Sequence, residues 1–131
     1  MLSTTTEQMI AHLEFLGYKV ERKEPGAFAK HETNLNLFLQ EQKGGVLFSS
    51  LFGFQETAKR DKAECLAWIN ALNETTLLLR FYTNGEFDSL VMQSWYPSIY
   101  DKASFGLFVE LLNGNIRLLF TDADRAKKFL I

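Results

Sequence analysis

Nucleophilic catalysis needs a serine, cysteine or threonine beside a base that a third group orients, and the raw material here is Cys65 with His12 and His31. None of the three sits in a local catalytic signature. Cys65 falls on the apolar stripe of a helical pattern, which predicts a small buried thiol of low reactivity. His12 lies one position off the apolar face of the first helix and His31 in a turn-like stretch beside Glu32, so both read as surface histidines. The densest acidic pair, Asp122 with Asp124, lacks the glycine and closing glutamate of a calcium loop, and helix capping accounts for it. Gly44, Gly45 and Gly53 belong to a hairpin rather than to a phosphate-cradling GxxxxGK or GxGxxG. The triplet Asn73-Glu74-Thr75 has the letters of a glycosylation site and no further support. No catalytic residue, metal or cofactor is therefore expected.

The elements that would position any chemistry can be read from periodicity. Thr4 with Glu7 makes a capping-box pattern ahead of Met9, Ile10, Leu13 and Leu16, and Gly17 offers the left-handed stop, predicting a helix over about residues 5–16. YKVERK alternates as a short strand, and Pro25-Gly26 then turns the chain towards AFAKHE. A hairpin follows with Gly44-Gly45 as its loop, pairing Leu39 with Ser50 and Leu37 with Phe52 and gathering Leu35, Leu37, Leu39, Phe48, Phe52 and Phe54 on a core face. From Lys59 to Leu72 the period is helical, with Cys65, Leu66, Ile69 and Leu72 on one stripe and Trp68 flanking it. A second hairpin turns at Asn84-Gly85, the dipeptide suited to a type I′ turn, so that Leu79 faces Leu90, Leu77 faces Met92 and Phe81 faces Asp88. Pro97 ends its second strand. Asp101 or Ser98 can cap a closing helix carrying Phe105, Phe108, Leu112, Ile116 and Leu119, which Gly114 can break, and Thr121 is placed to cap a short last helix.

At 131 residues the chain fits one domain, 1–131, large enough for a core without disulfides or metal. A net charge of -2 with interspersed signs gives no long-range field for nucleic acid or anionic lipid. The basic clusters Lys59, Arg60, Lys62 and Arg125, Lys127, Lys128 are interrupted by acids and read as solvated helix faces. An RNA-recognition sheet would stack bases on exposed aromatics, and Phe38, Tyr82, Phe87 and Trp95 could serve, but the element order is not βαββαβ and no RNP-like run occurs. Nucleic acid and membrane are not expected partners. The lone cysteine and an N-terminus without a basic start and apolar core predict a cytoplasmic protein. Twelve phenylalanines against two prolines imply a thick aromatic core or a sticky surface.

If both hairpins join one sheet, its far face collects Phe38, Leu47, Leu51, Leu78, Tyr82, Phe87, Val91 and Trp95. Burying each large apolar side chain is worth roughly 1.5–3 kcal/mol, so eight left in water would forgo much stabilisation. Either a helix of the same chain covers them, or the sheet curls around them, or a partner does: a second copy, another protein, or a ligand.

A helix ending in GYKVE, a strand with an aromatic hairpin, a helix reading DKAECLAWINALNE, a second hairpin and a closing helix together resemble the YbjN-like family of proposed bacterial sensory transduction regulators. That family is similar in fold to the type III secretion chaperones. The resemblance spans nearly the whole chain and rests on the pattern of elements, without a diagnostic motif. It implies an α+β fold with one antiparallel sheet and helices packed on it, here in the order α-β-β-β-α-β-β-α. It also implies no catalytic residues, no cofactor, and a role in binding other proteins, often as a homodimer. The expected function is that of a non-enzymatic interaction or chaperone-like regulatory domain presenting apolar sheet and helix surface to a protein partner. The alternative is a small-ligand or enzymatic domain with a pocket between the sheet and the closing helix, drawing on Arg80, Tyr100, Glu110 or Arg117.

Overall fold

The computed structural model describes residues 2–131. The fold is α+β, with a six-stranded antiparallel sheet in the strand order β1-β2-β3-β4-β6-β5. The strands are β1 (Lys19–Lys23), β2 (Gly26–Lys30), β3 (Leu37–Gln42), β4 (Gly45–Gly53), β5 (Arg80–Thr83) and β6 (Ser89–Pro97); the helices are α1 (Thr4–Phe15), α2 (Glu56–Arg60), α3 (Lys62–Thr75), α4 (Lys102–Asn115) and α5 (Ala123–Phe129). A 3₁₀ segment, Ile116–Phe120, follows α4. The chain divides into two compact units, one of the described residues up to Ser50 with Ser94–Asn113, the other of Leu51–Gln93 with Gly114–Ile131.

In the first unit, α1 is capped one residue earlier than the capping-box pattern implies. The Ser3 side chain accepts from the Thr6 N–H at 3.2 Å, and Gly17 closes the helix at φ +98°. AFAK, which the sequence reading leaves as a connection, forms β2, so the sheet gains a strand between YKVERK and the hairpin. Gly26 permits it: a Cβ there would lie 1.9 Å from the Leu39 carbonyl oxygen. The β3–β4 turn is Lys43-Gly44, at φ 49° and 77°, rather than Gly44-Gly45. Leu39 consequently pairs with Phe48, not Ser50. The register slips by two, and the core face is unchanged because side-chain direction has period two. Leu35, Leu37, Leu39 and Phe48 are buried as expected. Phe105 and Phe108 of α4 pack on Phe48 at 6.0 and 5.1 Å between ring centroids, and Phe108 packs on Tyr96 at 4.5 Å. Helix α1 lies on that same side, where Thr6 donates to Glu41 at 2.6 Å and His12 packs edge-on against Phe105.

In the second unit, the expected helix is two helices meeting at Asp61, whose φ of -114° and ψ of 54° interrupt the α conformation. The apolar stripe of α3 is Cys65, Trp68, Ile69 and Leu72, while Leu66 points outward at 49% exposure. Leu66 and Trp68 thus exchange roles, because the larger indole at i+3 from Cys65 reaches Phe129 of α5, with ring centroids 5.8 Å apart. The second hairpin pairs Phe81 with Met92 and Tyr82 with Val91, four places from the register implied by an Asn84-Gly85 turn. The cause is a wider loop. The Asn84 side-chain oxygen accepts from the N–H groups of Asp88 and Ser89 at 2.7 and 3.2 Å, and Phe87 takes a left-handed φ of 60°. Leu77 then falls before β5 and is fully exposed instead of facing Met92. Asp122, rather than Thr121, caps α5 through the Arg125 N–H.

Candidate functional site

In the first unit both helices lie on the Phe48 side of the sheet, and the other side carries a row of aromatic and aliphatic groups. Register places Phe28 beside Phe38 and Phe38 beside Ser49, with Gln40 beside Leu47. Phe28, Phe38 and Leu47 are half-buried. Trp95 stands at their end, 49% exposed yet fixed in place. Its indole N–H donates to the Gln42 carbonyl at 3.0 Å, and its ring lies over Gly45, where a Cβ would come within 2.3 Å of it. Gly45 is thus the seat of the indole rather than part of the turn. An aromatic side chain held this way presents area without ordering cost on binding.

The second unit contributes a different arrangement. Tyr82 is 40% exposed beside buried Val91, and the Arg80 guanidinium lies 5.5 Å over the Tyr82 ring while donating to the Gln93 side-chain oxygen at 3.0 Å. Leu51 is 69% exposed. Phe87 and Leu78 do not join the sheet face. Phe87 sits in the β5–β6 loop, stacked on Phe54 at 5.6 Å with the Lys62 ammonium 5.5 Å from its ring, and Leu78 lies in the bend before β5. Of the eight expected surface residues, Phe38, Leu47 and Trp95 share one face in the first unit; in the second, Tyr82 and Leu51 are exposed, whereas Val91, paired with Tyr82, is buried rather than on the surface.

The groups considered for chemistry are placed as follows. Cys65 is wholly buried, and burial pushes its thiol up to about 11, which leaves almost no thiolate at neutral pH. His31 is structural: its Nδ1 accepts from the N–H groups of Thr33 and Asn34 at 3.1 and 3.0 Å, and its ring packs on Tyr18 at 4.8 Å. His12 is buried rather than on the surface, with Nδ1 2.9 Å from the Tyr100 hydroxyl. Glu110 lines a shallow groove of about 700 Å³ beside His12, Asp101 and Lys102. Arg80 is committed to Gln93 and Tyr82. Among the described residues no cluster of three or more His, Cys, Asp or Glu is placed to hold a metal ion, and no helix is long and apolar enough to cross a membrane.

Burial, and secondarily the Lys102 ammonium, hold the His12 imidazole below its ordinary value. The folded protein therefore binds a proton at His12 less readily than the unfolded chain, which takes it up as pH falls through about 6.5. Its contribution to stability is complete above that pH and is lost below it. Thermal melts should show a melting temperature that drops between about pH 7 and pH 5, and His12→Phe should flatten that slope.

The course of the strands and helices gives the chain a structural likeness. Over 96% of this chain and 95% of the other, the structure superposes on crystalline YbjN from E. coli with a TM-score of 0.74 at 15% sequence identity. The chain has the YbjN fold. No family model matches the sequence, and no curated protein matches it. The E. coli YbjN carries a proposed role in transcription regulation. Within the YbjN fold of this chain, sequence reasoning missed Phe28 and the outward lysines of β1 and β2. The signal was present in the alternation of Ala27, Phe28, Ala29 and Lys30, whose alanines are buried and whose Phe28 and Lys30 face out.

Proposed function

We propose that this chain is a non-enzymatic protein-interaction domain of regulatory type, and that its working surface is the helix-free sheet face of Phe28, Phe38, Leu47 and Trp95. The observation that carries the reading is Trp95: half exposed, pinned by the Gln42 carbonyl and seated on Gly45. Core tryptophans are not left half in water, and surface ones are rarely fixed. Aromatic anchors of this kind are enriched where proteins bind proteins. Neither the buried high-pKa thiol nor the two histidines engaged in packing support the enzymatic alternative. The regulatory role proposed for E. coli YbjN is in keeping with action through binding.

Site-specific photo-crosslinking in the native host tests this. A benzophenone side chain at position 38 or 47 should give a covalent adduct of defined mass, including twice the chain mass where the partner is a second copy. The same group at Glu110 should not. A folded protein that gives no protein adduct from either face position overturns the reading.

A further inference from the structure

The apolar row on this face is bordered on one side by a lysine cluster. Lys19, Lys23 and Lys30 share the side of Phe28 and Phe38: Lys19 pairs with Lys30, Lys23 with Gly26, and Gly26 with Gln40. All three are exposed, and among the described residues none makes an ion pair. Several other basic side chains are engaged by acids. Arg22 on the opposite side of β1 binds Glu7, and in the second unit Lys59 binds Asp88 at 3.0 Å and Lys128 binds Glu64 at 2.9 Å. The Lys30 ammonium rests 5.6 Å over the Phe28 ring, so apolar row and basic border are one continuous surface. Lys19 and Lys30 also line an open groove of about 470 Å³, with Gly17, His31 and Glu32. Glu21 is the acid among the outward residues of β1, opposite Phe28.

Resting on the interaction reading above, we infer that the occupant of this face is a protein segment whose apolar anchors are flanked on one side by acidic residues. Its aromatic or aliphatic side chains cover Phe28, Phe38, Leu47 and the Trp95 ring, and its carboxylates meet Lys19, Lys23 and Lys30. Charges bordering an apolar centre set partner choice and association rate more than they add affinity. Acidic flanks are thus the feature that distinguishes the right partner from other apolar segments.

The test is binding of fluorescent synthetic peptides to the full chain, read by anisotropy. Two peptides share a Phe-x-Leu centre, one with a run of Asp and Glu on one flank and one with Lys in those places. The acidic peptide should bind roughly tenfold or more tightly than the basic one. The preference should shrink with added salt and invert in Lys19→Glu/Lys30→Glu, two exposed changes that leave the fold intact by circular dichroism. Equal binding of the two peptides overturns the inference. So does tighter binding of single-stranded oligo-dT or oligo-U than of the acidic peptide, which would assign the face to nucleic acid. A dimer that the acidic peptide does not dissociate would assign it to a second copy and overturns it as well. Protein adducts from positions 38 and 47 together with no charge preference would leave the interaction reading standing and remove only the acidic partner; loss of both removes the reading itself.

Discussion

Gly26→Ala is expected to cost the native state about 3 kcal/mol, the upper end of what overpacking exacts. A methyl group at that position would sit 1.9 Å from the Leu39 carbonyl oxygen and 3.0 Å from its carbon, and both are backbone atoms that cannot swing aside. Relief requires β2 to move away from β3. Such a movement separates Phe28 from Phe38 and Ala27 from Leu39, the cross-strand pairs that hold the two strands together. Ala27 and Ala29 are wholly buried on the helix side, so the displacement opens the core as well as the outer face. Urea unfolding should show the loss as a lower midpoint at unchanged slope. Any partner bound through Phe28 and Phe38 should be lost in parallel, even at temperatures where the variant is folded. An unchanged midpoint would mean that β2 and β3 are not held as closely as the Gly26 backbone indicates.

Why a glycine matters there could not be seen from the letters Pro25-Gly26, which signal a turn whether or not a strand follows. The faces of both hairpins were legible because the core-facing residues, Leu37, Leu39, Phe48, Phe81, Leu90 and Met92, alternate with others at period two. Both hairpins nevertheless have registers other than those their glycines suggest. The errors are even, two places in one and four in the other, so every face assignment within the paired strands survives. The misplaced residues are the ones outside the pairing: Leu77 and Leu78, which fall before β5, and Phe87, which the Asn84 carboxamide carries into a loop. His12 was misread for a related reason. Its position one step off the stripe of α1 looks solvated until α4 arrives with Phe105 and, at the loop before it, Tyr100. Non-local packing of that sort leaves no trace in periodicity. The surface row was partly legible, since Phe38, Leu47 and Trp95 were placed on one face, whereas Phe28 and Lys30 awaited recognition of β2 as a strand.

Asn73→Ala is the second change with a large expected effect, a loss of about 2 kcal/mol. Asn73 lies near the end of α3, and its carboxamide makes two hydrogen bonds to one residue of β5: Nδ2 donates to the Phe81 carbonyl at 2.9 Å, and the Phe81 N–H donates to Oδ1 at 2.8 Å. Strand β5 is the last in the sheet order, so its outward peptide groups have no strand beside them. The asparagine side chain supplies the donor and acceptor that a seventh strand would. An unprotected edge pairs readily with other chains, and covering it is one of the recognised ways folded proteins avoid this. Alanine would leave both groups of Phe81 without a protein partner, beside a side chain that is itself almost fully buried. The cost should be measurable by urea unfolding, and light scattering should reveal concentration-dependent association through the exposed edge. Asn73→Asp retains the acceptor for the N–H but turns a carboxylate oxygen towards the Phe81 carbonyl, so it should not restore the loss. If instead Asn73→Ala melts and scatters like the parent, the edge is guarded by something other than this side chain. At the opposite end of the strand order, β1 is guarded by charge, with Lys19, Glu21, Arg22 and Lys23 in five residues. Strand addition is therefore discouraged at both terminal strands, by a side-chain amide at one and by charge at the other. The protein partner proposed above would then read a face of the sheet, which is where the pinned indole of Trp95 stands.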